Sequence, residues 1–147
     1  MRDAELKLAQ DVVFSMMRED LYSQWLGIEI IDIRPRFAKI RMLIRDEMVN
    51  GFGVCHGGIA YSLADSALAF ASNTHGKVTV AIENAISYPK AIAVGDTLTA
   101  IAEEESSSNR LGFYRVVVKR DDDDSIVALF KGTVYKTQKS HLENADE

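Results

Sequence analysis

The chain has 147 residues, 47% of them hydrophobic, and a formal net charge of −5 from 17 Lys plus Arg against 22 Asp plus Glu. That is enough for one domain with its own core and short for two, and the acidic balance gives no electrostatic reason to bind nucleic acid or an anionic membrane surface. A single cysteine excludes an internal disulfide framework, no apolar run approaches the roughly 20 residues of a membrane span, and Met1 to Asp20 does not resemble a secretory signal, so the cytoplasm is the expected location.

In chain order, "DAELKLAQDVVFSMMRED" carries Leu6, Val13, Met16 and Met17 at three- and four-residue spacings, which predicts an amphipathic helix within 1–20 packed on the main body. "GIEIIDIRPRFAKIRMLIRD" alternates through Ile28 and Ile30, then Ala38, Ile40, Met42 and Ile44, and predicts a hairpin turning at Arg34-Pro35-Arg36. A glycine-rich turn and a helix over 57–73 follow, with His75-Gly76 as its stop. Residues 77–88 read as a strand broken by Pro89, 96–104 as a second, "SSSNR" as a turn, "LGFYRVVVKR" as a third and "SIVALFKGTVYKT" as a fourth. The body thus spans 21–137, and a polar tail over 138–147 is expected to lack order. One long apolar helix with about six strands predicts an α+β architecture in which an antiparallel sheet curls around the helix.

That helix raises a question of charge. At 100° per residue, Ile59, Ala60, Leu63, Ala64, Ala67, Phe70 and Ala71 share the sector expected to face the sheet. Asp65 points away, among Tyr61, Ser62, Leu68, Ala69 and Ser72, with none of the charges a solvated face carries. Such a face is expected to pack against a second copy of the chain, with Asp65 a largely buried carboxylate there. Two readings remain open on periodicity alone: a functional carboxylate with a raised pKa, or a structural one bonded to Ser62, Ser66 or Ser72.

His56-Gly57-Gly58 stands at the helix start, where unpaired amides and the positive end of the macrodipole can stabilise an oxyanion. An ordinary glycine-rich helix start is the alternative. Gly57 and Asp65 are eight residues apart, about 12 Å along a helix at 1.5 Å per residue, so one chain cannot bring both to the same atom. If both act on one carbonyl, Gly57 of the partner subunit must meet Asp65, and the enzyme is at least a dimer with shared sites.

Asn50, Gly51 and Gly53, "HGG" at 56–58, "LADSALAFA" at 63–71 and the later Gly95-Asp96-Thr97-Leu98 resemble the hotdog-fold thioesterases, most closely their phenylacetate-degradation subfamily, over residues 20–137. The resemblance implies a curved antiparallel sheet around helix 57–73, dimers that pair into a homotetramer, and hydrolysis of an acyl-coenzyme A thioester. It implies that the Gly57 amide polarises the carbonyl, that Asp65 is nucleophile or general base, and that Asn50 and His56 position the carbonyl or the water. Gly58, Ser66, Asn84 and Tyr88 are the candidate substrate contacts. A thioester carbonyl is activated enough for a carboxylate and one oxyanion donor to suffice, so no metal or other cofactor is expected. Relatives commonly show an aromatic residue, Leu, a basic residue and Pro after the third strand, where this chain has Tyr88-Pro89-Lys90-Ala91, so the pocket rim is expected to differ.

Other signals lead elsewhere. Cys55 lacks an evident orienting partner and reads as structural; His75 and His141 read as solvated loop and tail residues. Asp121 to Asp124 lacks the glycine and distal glutamate of an EF-hand loop and reads as a hairpin turn. Lys90, Arg110, Lys119 and Arg120 are scattered cations that could meet coenzyme A phosphates, though such residues are usually ordinary surface. The hydratase motif found on the same fold is absent, which leaves a non-catalytic acyl-coenzyme A binding module as the alternative to a thioesterase.

Overall fold

A computed structural model describes residues 2–142. Helix α1 (Arg2–Glu19) and a short α2 (Leu21–Leu26) precede a hairpin of β1 (Glu29–Arg34) and β2 (Phe37–Leu43). A single 3-10 turn and the glycine loop lead into α3 (Gly57–Asn73), followed by β3 (Lys77–Ser87), β4 (Thr97–Ser107), β5 (Leu111–Arg120) and β6 (Ile126–Ser140). All six strands form one antiparallel sheet in the order β1-β2-β4-β5-β6-β3. The α+β architecture with a sheet around one central helix is as expected.

The core lies between the sheet and α3. Ala60, Leu63, Ala64, Ala67, Phe70 and Ala71 are fully buried, as the periodicity requires, against Ile40, Met42, Leu98, Ala100, Val116 and Phe130. Burial of each large apolar side chain contributes roughly 1.5–3 kcal/mol. The run of alanines lets the sheet approach closely. At one point the fit leaves no room for a side chain: a Cβ on Gly132 of β6 would stand 2.5 Å from Leu68 Cδ2 and 2.9 Å from Asn84 Oδ1.

Leu68 and Ser72 are therefore buried within the chain, not on the outward face where the 100° wheel put them. The sheet curls far enough to cover their side of the helix, and the uncovered strip narrows to Gly58, Tyr61, Ser62, Asp65 and Ala69.

Between α1 and the hairpin, where no element is expected from the sequence, stands the second helix. Asp20 caps α2, its carboxylate accepting from the Ser23 amide at 2.9 Å and the Ser23 hydroxyl at 2.6 Å. In α1 the buried residues are Ala9, Val12 and Val13, with Met16 and Met17 partly buried, whereas Leu6 is exposed.

The strand ends also differ from expectation. Ser106 and Ser107 continue β4, because Ser107 pairs with Gly112 and Lys136 donates to Ser107 Oγ at 2.8 Å. Gln138 to Ser140 belong to β6, where Ser140 pairs with Lys77, so this part of the expected tail is ordered strand. His141 is partly buried and its Nε2 lies 2.6 Å from Asn73 Oδ1, which makes it a clasp on the end of α3; the rest of the tail, 143–147, lies outside the described residues. His75 is exposed as expected, yet its Nε2 lies 3.2 Å from Thr79 Oγ1. The Asp121–Asp124 segment is the β5–β6 turn, fixed by Arg120 donating to both carboxylate oxygens of Asp123 at 3.1 Å.

Candidate active site

Asp65 sits midway along α3 on the uncovered strip, partly buried. Its Oδ1 accepts from Asn84 Nδ2 at 3.3 Å, and the same amide donates to the Tyr61 hydroxyl at 3.0 Å. Burial pushes the Asp65 carboxyl up; the Asn84 bond opposes this, and the negative charge of Asp20 adds to the rise. None of Ser62, Ser66 or Ser72, the partners a structural aspartate would have used, bonds to it among the described residues.

Asn84 reaches Asp65 through a backbone irregularity. In β3 Thr79 faces inward, so strict alternation would turn 81 and 83 inward and 84 outward. The pairing with β6 slips between Ala81 and Glu83, and from there Asn84 and Ile86 are the partly buried residues while Glu83 and Ala85 are exposed. One extra residue thus inverts the facing of the strand and aims Asn84 at the helix. Its Oδ1 is buried, has no partner among the described residues, and lies toward Gly132.

The second cluster forms at the start of α3. His56 is the N-cap: its Nδ1 accepts from the Gly58 amide at 2.9 Å, which assigns the ring proton of the neutral form to Nε2. Gly58, expected as a substrate contact, has its amide committed to this cap. The Gly57 amide has no acceptor among the described residues and lies at the positive end of a 17-residue helix. The Tyr88 hydroxyl donates to Gly57 O at 2.8 Å, and its ring fills the space a Gly57 Cβ would need, 3.2 Å away. A pocket of about 320 Å³ opens here, with Cys55, Gly57, Tyr88, Lys90 and Ile92 in its wall.

Asn50 builds the loop before that pocket. Its Oδ1 accepts from the Phe52 amide at 2.9 Å and the Val54 amide at 3.4 Å, so Nδ2 is the end left to donate elsewhere. Cys55 is buried and its thiol is pushed up to about 11 by desolvation first and Asp96 second, which leaves no thiolate for nucleophilic work. Of the four scattered cations only Lys90 lines this pocket; Arg120 is tied to Asp96 and Asp123, Lys119 pairs with Asp124 at 3.6 Å, and Arg110 donates to the Tyr135 hydroxyl.

One chain therefore carries two separate clusters, Asp65 with Asn84 and Tyr61, and the Gly57 amide with His56 and Tyr88, the latter preceded by the Asn50 loop. Ser66 joins neither. It is buried against α2, its Oγ 2.9 Å from Ser23 Oγ, because the sheet-and-α2 side of the helix takes up that position. Sequence reasoning missed α2 altogether, although Asp20 three residues before Ser23 and Gly27 after Leu26 are a start and a stop signal. Among the described residues no group of three or more His, Cys, Asp or Glu is arranged to hold a metal ion, and no helix is long and apolar enough to cross a membrane.

Comparison with known proteins bears on this geometry. The family model described as the thioesterase superfamily matches residues 52–127. A candidate esterase of Archaeoglobus fulgidus is 41% identical over 121 residues, covering 82% of this chain and 78% of its own. The acyl-coenzyme A thioesterase PaaI of Escherichia coli is 35% identical over 122 residues, 83% of this chain and 86% of its own. The solved structure of the E. coli PaaI protein, from the phenylacetic acid degradation operon, superposes with a TM-score of 0.89 at 32% identity, covering 92% of this chain and 97% of that one.

Proposed function

The chain belongs to the thioesterase superfamily as an enzyme of its PaaI-like branch, and we propose that it hydrolyses an aryl or medium-chain acyl-coenzyme A ester to the free acid and coenzyme A. The observation that carries this reading is the Gly57 amide, without an acceptor among the described residues, beside a pocket at the head of the helix that also bears the half-buried Asp65. A developing oxyanion on the thioester carbonyl accepts from that amide. Water, deprotonated by Asp65, bonds to the carbonyl carbon; the C–S bond then breaks and the thiolate takes up a proton. Direct attack by Asp65, through an anhydride that water opens, uses the same atoms in nearly the same positions.

The two half-sites meet only across a subunit boundary, so Gly57 of the partner subunit faces Asp65. Two features support a homodimer: the strip of α3, uncharged apart from Asp65, and the edge strand β3, which leaves Val80 and Ile82 exposed along its outer edge. Dimers pairing into a tetramer complete the expected assembly. His56 holds the helix start, Tyr88 fixes the Gly57 peptide, Asn50 Nδ2 is free to meet the carbonyl or water, and Asn84 orients Asp65. The free Cys55 thiol suits a reducing cytoplasm.

The test is thiol release from a panel of aryl and straight-chain acyl-coenzyme A esters by wild type and Asp65→Asn. Turnover lost by about 10²-fold or more in the variant, with fold and assembly retained, is expected for an essential general base or nucleophile. No turnover by wild type on any ester, with tight binding retained, would mark a binding module.

A further inference from the structure

The thioesterase reading places the reacting carbonyl at Asp65 but leaves open what receives the acyl group. We propose that the exposed aromatic pair of α2, Tyr22 and Trp25, is the wall against which that group lies, and that these two side chains set selectivity for flat acyl groups. This rests on hydrolysis occurring at Asp65.

Three observations converge. The first is location. The Tyr22 hydroxyl is 2.9 Å from Ser62 Oγ, and Ser62 stands one helical turn before Asp65 on the uncovered strip. Ser23 bonds Ser66, the next residue after Asp65, so α2 is fastened alongside the carboxylate at two successive points.

The second is chemistry. The helix Leu21–Leu26 contains no charged side chain, and Leu21, Tyr22 and Trp25 are 74%, 52% and 54% exposed. An uncharged aromatic surface beside a half-buried carboxylate suits the uncharged acyl end of a thioester, not the phosphates at its other end. Lys90 lies in the pocket at the Gly57 half-site, apart from the pair, and the cation that does touch the pair, Arg45, is tied to Glu47 and to backbone carbonyls.

The third is rigidity. The rings of Tyr22 and Trp25 are stacked at 6.1 Å with an interplanar angle of 16°. Arg45 covers Trp25 at 5.3 Å from its centroid and donates to the carbonyls of Trp25 and Leu26 at 2.9 and 3.0 Å. A pair held in this way loses little side-chain freedom when a ligand settles on it, and flat aryl groups gain from offset stacking that a flexible alkyl chain does not match.

Trp25 is the chain's single tryptophan, which supplies a readout independent of turnover. Titration of the Asp65→Asn protein with phenylacetyl-coenzyme A is expected to change its intrinsic fluorescence saturably, while coenzyme A alone leaves it unchanged. In the wild-type background, Trp25→Ala is expected to lower kcat/KM for phenylacetyl-coenzyme A about 10-fold, mainly through KM, and to alter hexanoyl-coenzyme A less than about 2-fold; Trp25→Phe restores most of the loss. Equal losses on both esters, an unchanged ratio, or a Trp25→Ala protein that changes oligomeric state without changing the ratio would each overturn the proposal, the last by making the pair a subunit contact. A saturable fluorescence response without turnover by wild type would retain the wall and sink the hydrolytic reading instead.

Discussion

Asn84 Nδ2 donates to Asp65 Oδ1 at 3.3 Å, joining an edge strand to the central helix just after the second of the two places where β3 slips its register against β6. The bond acts against desolvation, the larger influence on this carboxylate. Asn84→Ala removes the donor that favours the ionised form, so the Asp65 pKa rises further. Because the reaction needs Asp65 ionised, the acid limb of the kcat/KM profile is expected to move to higher pH, with the loss of activity largest on the acid side and smallest at alkaline pH. A pH–rate profile of both proteins checks this; a uniform loss at every pH would mean that Asn84 serves packing alone.

Asp65 also leaves a mark on stability. Its folded pKa is raised, so the native state holds the proton more tightly than the unfolded chain does. Below the unfolded value of about 4 both states are protonated and nothing is lost. As pH rises through that value the unfolded chain ionises first, and the penalty on the native state is complete above the folded pKa. Asp65→Asn is expected to unfold at higher urea concentration than wild type at pH 7, with the gap closing toward pH 4. A gap that stays constant with pH would remove burial of the charge as its cause.

Much of the molecule was legible because its signals are local. The bounds of α3 follow from HGG at its head and His75-Gly76 behind it, and the two-residue β1–β2 turn from Pro35, with Arg36 at φ 62°. Asp65 stood out as the one carboxylate on an apolar helix. What was not legible depends on pairing at long range. The β3 slip that turns Asn84 inward is set by its register with β6, and the strand at Gln138 to Ser140 is held by Lys77, over sixty residues earlier. Leu68 and Ser72 were misplaced for the same reason: a helical wheel gives direction, but the reach of the sheet decides what is covered. The α2 signals were present in Asp20 and Gly27 and were masked by reading a single helix through residue 20.

Gly132 ties core packing to the site. A Cβ there meets Leu68 Cδ2 at 2.5 Å and Asn84 Oδ1 at 2.9 Å, so both must shift or the strand must move away from them. Gly132→Ala is expected to cost about 1–3 kcal/mol, as overpacking usually does. Its larger effect should be on catalysis, since displacing Asn84 releases Asp65. Adding Leu68→Ala makes room on the helix side and should recover activity along with part of the stability, measured by urea unfolding and thiol release on the same preparations. Recovery of stability without activity would show that Asn84 stays displaced by another contact.

The last prediction concerns the division of the site between subunits. On α3 the Gly57 amide and Asp65 are about 12 Å apart along the helix axis, and Asn50 belongs to the loop that leads into the Gly57 end. In a shared site, Asp65→Asn disables one half and Asn50→Ala the other. The Asn50→Ala protein also loses the acceptor for the Phe52 and Val54 amides, so its fold must be checked by unfolding before it is mixed. Each mixed dimer then carries one site with both lesions and one with neither. Random exchange of equal amounts makes half the dimers mixed, so activity is expected to rise to about a quarter of wild type, above either parent. If subunits exchange, as native mass spectrometry of differently tagged chains can establish, and activity stays at the parental level, Asp65 and the Asn50 loop of one chain serve the same site and the helix-length argument fails.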